Sequence, residues 1–175
     1  MKHADLAAKA RRIKLVLTDC DGVLTDGGVY YGENGEVLKR FNIRDGMGVE
    51  RLRAIGITTG IVTGERSPSV AKRAEKLKIT ELHLGIKDKA PLLHEILART
   101  GLTAEQVAFI GDDTNDVEVL GLVGLAACPG DATRFAREAA DYRCRARGGH
   151  GAFRELAELI ISCQGGKAPD DEGAE

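Results

Sequence analysis

Residues 13–27 read Ile13-Lys14-Leu15-Val16-Leu17-Thr18-Asp19-Cys20-Asp21-Gly22-Val23-Leu24-Thr25-Asp26-Gly27. An apolar run followed at once by two acids is typical of a buried strand in a parallel sheet, whose ligands gather at the carboxyl ends of the strands. Because side chains alternate along an extended chain, we expect Asp19 and Asp21 to point to the same side and to repel each other unless a cation intervenes. The stretch therefore predicts a metal site, and an acidic loop that faces water is the alternative.

Strands and helices alternate along the rest of the chain. The first run, Ile13–Thr18, is followed by strand-like runs at Thr58–Val62, Leu82–Leu84, Val107–Ile110 and Leu125–Ala127. Helices are predicted at Lys2–Arg12, Gly48–Ala54, Pro68–Leu77, Lys89–Thr100, Asn115–Leu120, Thr133–Ala139 and Ala152–Ser162. Such alternation favours parallel pairing through right-handed crossovers. We therefore predict an α/β fold, a three-layer Rossmann-like sandwich around a central parallel sheet.

One segment after the first strand breaks this alternation. Val29–Tyr31 and Val37–Phe41 favour strands, and they flank Gly32–Glu36, which contains the hairpin signal Asn34-Gly35. We predict a projecting hairpin that spans about residues 27–42. Because an isolated hairpin is marginal in water and this one carries three aromatic residues, it should pack on its own domain or against other subunits.

Length and composition set further expectations. The chain has 175 residues, 30% of them charged, and a formal net charge of −2, which gives no electrostatic reason to expect binding to nucleic acid or to an anionic membrane. No apolar run approaches the ~20 residues of a membrane span, and no secretory signal is evident, so we expect a cytoplasmic protein. We predict one domain over residues 1–163 and a flexible tail over 164–175. The four cysteines show neither disulfide nor zinc-site spacing.

Polar residues follow three of the later strands. Thr63-Gly64 comes after one strand, Lys87 and Lys89 after the next, and the stretch Gly111–Asp116, with its several acids, after a third. A parallel sheet would gather these residues at one edge together with Asp19. Each is weak evidence alone, since Gly111–Asp116 could also be a turn that caps a helix. Their order and their placement at strand ends are much harder to reach by chance.

On these motifs, from Ile13 to Ser162, the chain resembles the haloacid dehalogenase superfamily of aspartyl phosphotransferases. The motifs are, in order, Asp19-Cys20-Asp21-Gly22, Thr63, Lys89, and Gly111-Asp112-Asp113 with Asp116. Three further segments, Gly27–Tyr31, Phe41–Gly46 and Gly148–Glu155, are similar to the capless branch that contains phosphatases of 3-deoxy-D-manno-octulosonate 8-phosphate and of nine-carbon 2-keto-3-deoxy acids. Residues 22–62 and 90–111, which separate the motifs, leave no room for an inserted cap domain.

The resemblance implies a catalytic centre built around Mg²⁺. Asp19 would be the nucleophile that forms an aspartyl phosphate, and Asp21 would act first as general acid and then as general base. The Asp19 carboxylate, the Asp21 backbone carbonyl and Asp112 would hold the metal. Asp113 and Asp116 would support these ligands without binding the metal themselves.

The phosphoryl group would be held by Thr63, the Gly64 amide and Lys89. Lys87 competes with Lys89 for this role. Lys89 is preferred because it matches the third motif of the superfamily and because it would open a helix, whose amino end favours anions. Lys87 is expected to be solvated, and His150 is expected to be a bystander in a flexible loop.

The resemblance also suggests substrate and subunit contacts. The substrate candidates are Asn42, Arg44, Asp45, Glu65, Arg73 and Lys76. A solvated helix face is an equally good interpretation of Arg73. Octulosonate phosphatases of the branch usually carry Arg where this chain has Glu65, which shifts the expectation modestly toward a nine-carbon acid such as a nonulosonate 9-phosphate. In the branch, four hairpins form a tetramer and a neighbour's carboxyl-terminal segment approaches the site, so we expect a homotetramer.

The resulting hypothesis is a Mg²⁺-dependent phosphomonoesterase of a 2-keto-3-deoxy sugar acid phosphate. A signalling receiver domain also uses a phosphorylated Asp with Mg²⁺, Thr and Lys. In that class the acidic pair follows the first strand and the phosphorylated Asp follows a middle strand. Here Asp19 and Asp21 follow the first strand and Asp112-Asp113 follows a later one, which argues against a receiver domain. Phosphotransfer to a sugar, and a non-catalytic tetrameric module of the same fold, are the remaining alternatives.

Overall fold

A computed structural model describes residues 3–165 of the chain. Within them, six parallel strands form one sheet with the spatial order β5-β4-β1-β6-β7-β8. The strands of this sheet are β1 (Leu15–Thr18), β4 (Thr58–Thr63), β5 (Glu81–Leu84), β6 (Val107–Ile110), β7 (Leu125–Cys128) and β8 (Tyr142–Arg143). The predicted parallel α/β sandwich is confirmed, and β1 lies at its centre.

Helices cover both faces of the sheet. They are α1 (His3–Ala10), α2 (Ile43–Ala54), α3 (Pro68–Lys76), α4 (Lys89–Thr100), α5 (Val117–Leu120), α6 (Arg134–Ala139) and α7 (Ala152–Cys163). Buried residues of α1, α2, α3 and α7 share one apolar cluster, and those of α4, α5 and α6 share the other. Alternation along β1 explains this division, because Val16 enters the first cluster while Leu15 and Leu17 enter the second.

The predicted hairpin is present after β1. Its strands are β2 (Tyr30–Gly32) and β3 (Gly35–Leu38), which pair antiparallel and are separated from the main sheet. Gly35 has φ +103°, in the region that favours glycine, and closes the tight turn. Between β1 and β4 the described chain forms only this hairpin and α2, which confirms that no cap domain is inserted there.

Several elements differ from the prediction in their bounds or their type. Helix α2 begins at Ile43 rather than Gly48, because Asn42 caps it by accepting a hydrogen bond from the Arg44 amide at 2.8 Å. The helix predicted from Asn115 is a 3₁₀ turn over Thr114–Asp116 followed by α5. Strand β8 was not predicted, since two residues are too few to show a period.

The end of α7 lies beside the segment that leads into β1. The Gln164 side-chain amide donates to the carbonyl oxygens of Ala10 (3.1 Å) and Ile13 (2.8 Å). The first residue of the predicted tail is thus tied to the body, and residues 166–175 of that tail lie outside the described residues. No helix among residues 3–165 combines the length and apolar character needed to cross a bilayer. All four cysteines are free; Cys20, Cys128 and Cys144 are buried, and Cys163 is partly buried.

Candidate active site

The predicted site residues meet at the carboxyl ends of β1, β4 and β6. Thr18, the last residue of β1, pairs with Ile61 of β4 and with Ile110 of β6. The Asp19 amide continues this ladder by donating to the Ile110 carbonyl at 3.0 Å. Asp19 is therefore fixed by sheet hydrogen bonding, directly beside the loop that begins at Gly111.

Three carboxylates form a cluster at this edge. One oxygen from each of Asp19, Asp112 and Asp116 lies within 4.8 Å of the others. The ammonium group of Lys89 lies 3.0 Å from Asp19 Oδ1 and 2.5 Å from Asp116 Oδ1, and the Lys89 side chain is almost completely buried. Acids that are far apart in sequence thus share a partly buried space with a single lysine.

Asp116 supports the loop that carries Asp112. Its Oδ2 accepts hydrogen bonds from the amides of Asp112 (2.9 Å) and Asp113 (3.3 Å), while its Oδ1 binds Lys89. A side chain at Gly111 would collide with the Asp116 carboxylate, so glycine is required for this close approach. Both Asp116 oxygens are therefore engaged by the protein, which fits the supporting role that was predicted for it. Asp113 is exposed and its carboxylate accepts from the Thr114 amide.

Electrostatics at the cluster fit a divalent cation. Burial, together with Asp19 and Asp116, raises the pKa of Asp112 to about 8. Burial also raises the pKa of Asp19 to about 6, although Lys89 opposes the shift. The raised pKa values mean that burial, and after it the neighbouring acids, disfavour the ionised carboxylates more than Lys89 favours them. Hard carboxylate oxygens in such a group are the donors that Mg²⁺ prefers.

Two of the three residues predicted to hold a phosphoryl group, Thr63 and Gly64, line one open cleft, and the third, Lys89, is buried beside Asp19. Asp19, Asp21, Asp112 and Asp113 share this cleft with Thr63, Gly64, Glu65 and Asn115. Thr63 ends β4 and is buried, and its hydroxyl accepts from the Glu65 amide at 3.2 Å. Lys89 opens α4, as predicted, whereas Lys87 is exposed.

A residue that the sequence did not mark, Lys39, pairs with Asp21. Its ammonium group lies 2.6 Å from each oxygen of the Asp21 carboxylate, and Thr25 Oγ1 donates to Asp21 at 3.3 Å. Asp19 and Asp21 were expected to need a cation between them. Instead each acid has its own lysine, Lys89 for Asp19 and Lys39 for Asp21. No local pattern singles out Lys39, because it follows directly on a short, exposed strand.

Comparison with known proteins decides the family. A model of the haloacid dehalogenase-like hydrolases matches residues 81–156. The chain is 42% identical to the 3-deoxy-D-manno-octulosonate 8-phosphate phosphatase of Yersinia pestis, over 91% of this chain and 86% of that protein. The chain belongs to this phosphatase family.

Further relatives support the assignment of this phosphatase. The protein of the same name from Escherichia coli (strain K12) is 41% identical, over 93% of this chain and 86% of the relative. The crystal structure of the Moraxella catarrhalis enzyme of that name, in complex with magnesium, phosphate and a KDO molecule, is 34% identical. It superposes with a TM-score of 0.90 over 94% of each chain. The fold and the arrangement of motifs are thus those of the family.

Two of the phosphatase's predicted substrate residues make contacts within the protein. The buried Asp45 carboxylate accepts hydrogen bonds from the amides of Gly151 (3.3 Å) and Arg154 (2.9 Å), at the start of α7. Burial raises the pKa of Asp45, although these two amides oppose the shift. Asn42 caps α2 and donates to the Gly149 carbonyl at 3.1 Å. Both residues therefore join α2 to the loop before α7, and a role in substrate binding stays a prediction.

The other substrate candidates of the phosphatase are spread more widely. Arg73 donates to the Asn42 carbonyl at 2.9 Å and stacks on Phe41, so its guanidinium is engaged. Arg44 and Lys76 are exposed, and neither lines the cleft. Glu65 is exposed and does line it. Of the six candidates, the structure thus brings only Glu65 to the cleft wall.

His150 lies beside the base of the hairpin. Its Nδ1 lies 2.8 Å from the Gly148 carbonyl oxygen, and its Nε2 lies 3.0 Å from Arg40 Nη2. Because a carbonyl only accepts and a guanidinium only donates, the neutral tautomer with the proton on Nδ1 satisfies both contacts. These contacts within the protein agree with the predicted role of a bystander.

Proposed function

We propose that this phosphatase hydrolyses 3-deoxy-D-manno-octulosonate 8-phosphate with Mg²⁺ as its cofactor. The observation that carries the proposal is the group of Asp19, Asp112 and Lys89 at the end of the central strands, in a chain 42% identical to a phosphatase named for that substrate. Those relatives weigh more than the single substitution at Glu65, which favoured a nine-carbon substrate.

In the first step, an oxygen of Asp19 forms a bond to phosphorus while the bond from phosphorus to the sugar oxygen breaks. Asp21, which enters this step as the carboxylic acid, supplies the proton that the departing sugar oxygen requires and becomes a carboxylate. Lys89, Thr63 and the Gly64 amide stabilise the negative charge on the phosphoryl oxygens. The product is an aspartyl phosphate on Asp19 and the free sugar acid.

In the second step, water attacks phosphorus and the bond to Asp19 breaks, while Asp21 takes the proton from the water. The Asp19 and Asp112 carboxylates and the Asp21 carbonyl would hold Mg²⁺, which offsets the repulsion between a carboxylate and a phosphate dianion. Inorganic phosphate then leaves and the Asp19 carboxylate is regenerated. Asp21 therefore serves both steps by returning to its starting protonation state.

The nucleophile is tested with Asp19→Asn. An amide is a poor nucleophile toward phosphorus, so we expect Mg²⁺-dependent release of phosphate from the octulosonate substrate to be abolished. Asp5→Asn, an exposed position on α1, is the matched control and should keep wild-type activity. Undiminished turnover by Asp19→Asn would refute the proposed nucleophile.

A nine-carbon acid phosphate is the second candidate substrate. It is favoured by Glu65, which lines the cleft where the branch's octulosonate enzymes usually carry Arg. We expect kcat/KM to be higher for the octulosonate 8-phosphate than for a nonulosonate 9-phosphate, and Glu65→Arg to widen the difference. Glu50→Arg, the same change at an exposed position of α2 that does not line the cleft, is the control. A higher kcat/KM for the nonulosonate would make that acid the substrate.

We propose further that the enzyme is a cytoplasmic homotetramer whose subunits meet through the hairpin. Support comes from the large exposed residues that β2 and β3 carry, namely Tyr30, Tyr31, Val37 and Leu38. Each subunit would be one domain over residues 1–163, since both apolar clusters pack on the same sheet. A neighbour's segment after Ser162 would then shield the open cleft, which the protein's own described residues leave accessible to water.

A further inference from the structure

The base of the hairpin brings a buried cation to the cleft. Lys39 directly follows β3, and its side chain is 0% exposed, while the Asp21 side chain with which it pairs is 25% exposed. A buried ion pair is a costly way to stabilise a fold, because both charges lose water. The pair therefore calls for an explanation other than the stability of the hairpin.

Asp21 and the metal cluster are kept apart by this contact. The carboxylate cluster contains Asp19, Asp112 and Asp116, and both oxygens of Asp21 instead face Lys39 at 2.6 Å. If the Asp21 carboxylate were free to rotate, a cation bound by the neighbouring cluster would attract it. Lys39, together with the longer hydrogen bond from Thr25 Oγ1 at 3.3 Å, holds its side chain elsewhere.

Lys39 is itself held by neighbouring elements. Its ammonium lies 3.5 Å from the Glu36 carboxylate, and Glu36 in turn accepts a hydrogen bond from the Ser67 hydroxyl. Ser67 caps α3 by accepting from the Val70 amide at 3.3 Å. The position of Lys39 is thus fixed from two sides, by β3 and by the start of α3, which follows the phosphate-binding Thr63-Gly64 loop.

We infer that Lys39 is a positioning residue, which holds the Asp21 carboxylate outside the metal cluster and directs it at the phosphoryl group on Asp19. The inference rests on the proposed function, because it concerns the residue that exchanges protons in both steps. Without Lys39, the carboxylate loses its fixed orientation, and activation of the attacking water suffers. Transfer of the phosphoryl group to Asp19 keeps its rate when the leaving group of the substrate needs no proton.

The test uses Lys39→Met and p-nitrophenyl phosphate with Mg²⁺, followed in the first turnovers and at steady state. We expect a burst of p-nitrophenolate close to one per enzyme, followed by a steady rate lowered about 100-fold, the usual size of a lost general base. A merely structural role would lower burst and steady rate by the same factor, which would overturn the inference. An unchanged steady rate in Lys39→Met, or a slower burst, would also overturn the inference.

Arg40→Met is the matched control. Arg40 neighbours Lys39 at the base of the hairpin, but it is exposed and pairs with Asp26 at 2.8 Å rather than with Asp21. We expect this variant to keep the wild-type burst and the wild-type steady rate. Loss of the same kind in Arg40→Met would assign the effect to the hairpin in general and would overturn the inference.

A double variant covers the case in which Lys39→Met leaves Asp21 unpaired and the protein fails to fold. Asp21→Asn with Lys39→Met removes both charges, and we expect it to be as slow as Asp21→Asn alone, since Lys39 acts only through Asp21. A double variant that is much slower overturns the inference. Absence of Mg²⁺-dependent turnover in the wild type, or activity in Asp19→Asn, would instead refute the proposed function.

Discussion

Among single residues, Gly22 allows the metal cluster to form because it has no side chain. Gly22 has φ +83°, and a Cβ added there would lie 2.1 Å from Asp112 Oδ2. The Asp112 side chain can move away from such a clash more easily than the backbone can. A side chain at this position would therefore displace a predicted metal ligand without unfolding the protein.

We predict that Gly22→Ala weakens the dependence of turnover on Mg²⁺ selectively. The Mg²⁺ concentration for half-maximal activity should rise about 10-fold or more, a usual cost of disturbing the surroundings of a metal ligand. Gly27→Ala is the control, because its φ of +77° brings the same backbone strain while its Cβ would meet nothing closer than 3.9 Å. Thermal melts should show a similar loss of stability, about 1–2 kcal/mol, for both variants. The prediction would be contradicted if Gly22→Ala and Gly27→Ala needed the same Mg²⁺ concentration for half-maximal activity.

The acidic and phosphate-binding residues were predictable because they follow strands, where a parallel sheet must bring them together. Asp19 and Asp112 follow strands, Thr63 ends one, and Lys89 opens the helix that comes after one. Lys39 is different, since it reaches Asp21 through the packing of a hairpin on the body. Only three-dimensional contact reveals such a residue, and the same reason hid the internal contacts of Asn42 and Arg73.

At the scale of elements, α2 and α7 are joined by very close packing. A Cβ at Gly48 would lie 3.2 Å from the Arg154 Cα, so two backbones approach here. Gly46 and Gly48 lower helix propensity, which is why the start of α2 was missed from the sequence. The helix forms nonetheless because Asn42 caps it and because its face is buried against α7. Packing between elements overrides local preference in this case.

Asp45 links the same two helices, and we predict that Asp45→Ala destabilises the protein. It would leave the Gly151 and Arg154 amides without their acceptor, at a cost of about 1–3 kcal/mol in the free energy of unfolding. Arg44→Ala, at the exposed neighbouring position, should change stability by less than about 0.5 kcal/mol. Denaturant titrations of both variants provide the measurement. Unchanged stability with a raised KM for Asp45→Ala would instead support direct contact with substrate.

Across the subunit as a whole, the hairpin stands out because its large apolar side chains are not covered by the rest of the chain. Tyr31 and Val37 are 74% and 61% exposed on an element that has few partners in its own chain. Both faces of the main sheet, by contrast, are covered by helices. The sequence indicated an apolar hairpin, but the number of subunits that cover it follows from the resemblance alone.

We predict that Tyr31→Asp combined with Val37→Asp yields monomers in sedimentation. Charges placed in an apolar contact must lose water without gaining partners, which opposes association. Phe135→Asp on α6 is the control, since Phe135 is also large and 51% exposed but lies away from the hairpin. It should leave the oligomer intact. A doubly substituted protein that still sediments as a tetramer would remove the hairpin from the proposed assembly.

The contacts of Gln164 with Ala10 and Ile13 join the carboxyl end of α7 to the segment that leads into β1. This junction adjoins the amino ends of the strands, whereas the catalytic cleft lies at their carboxyl ends. A purification tag, a surface anchor or a fused partner protein attached directly after residue 165 would consequently begin on the side of the sheet that lies opposite the cleft. Immobilised through that point, a single subunit would present its cleft to the surrounding solution.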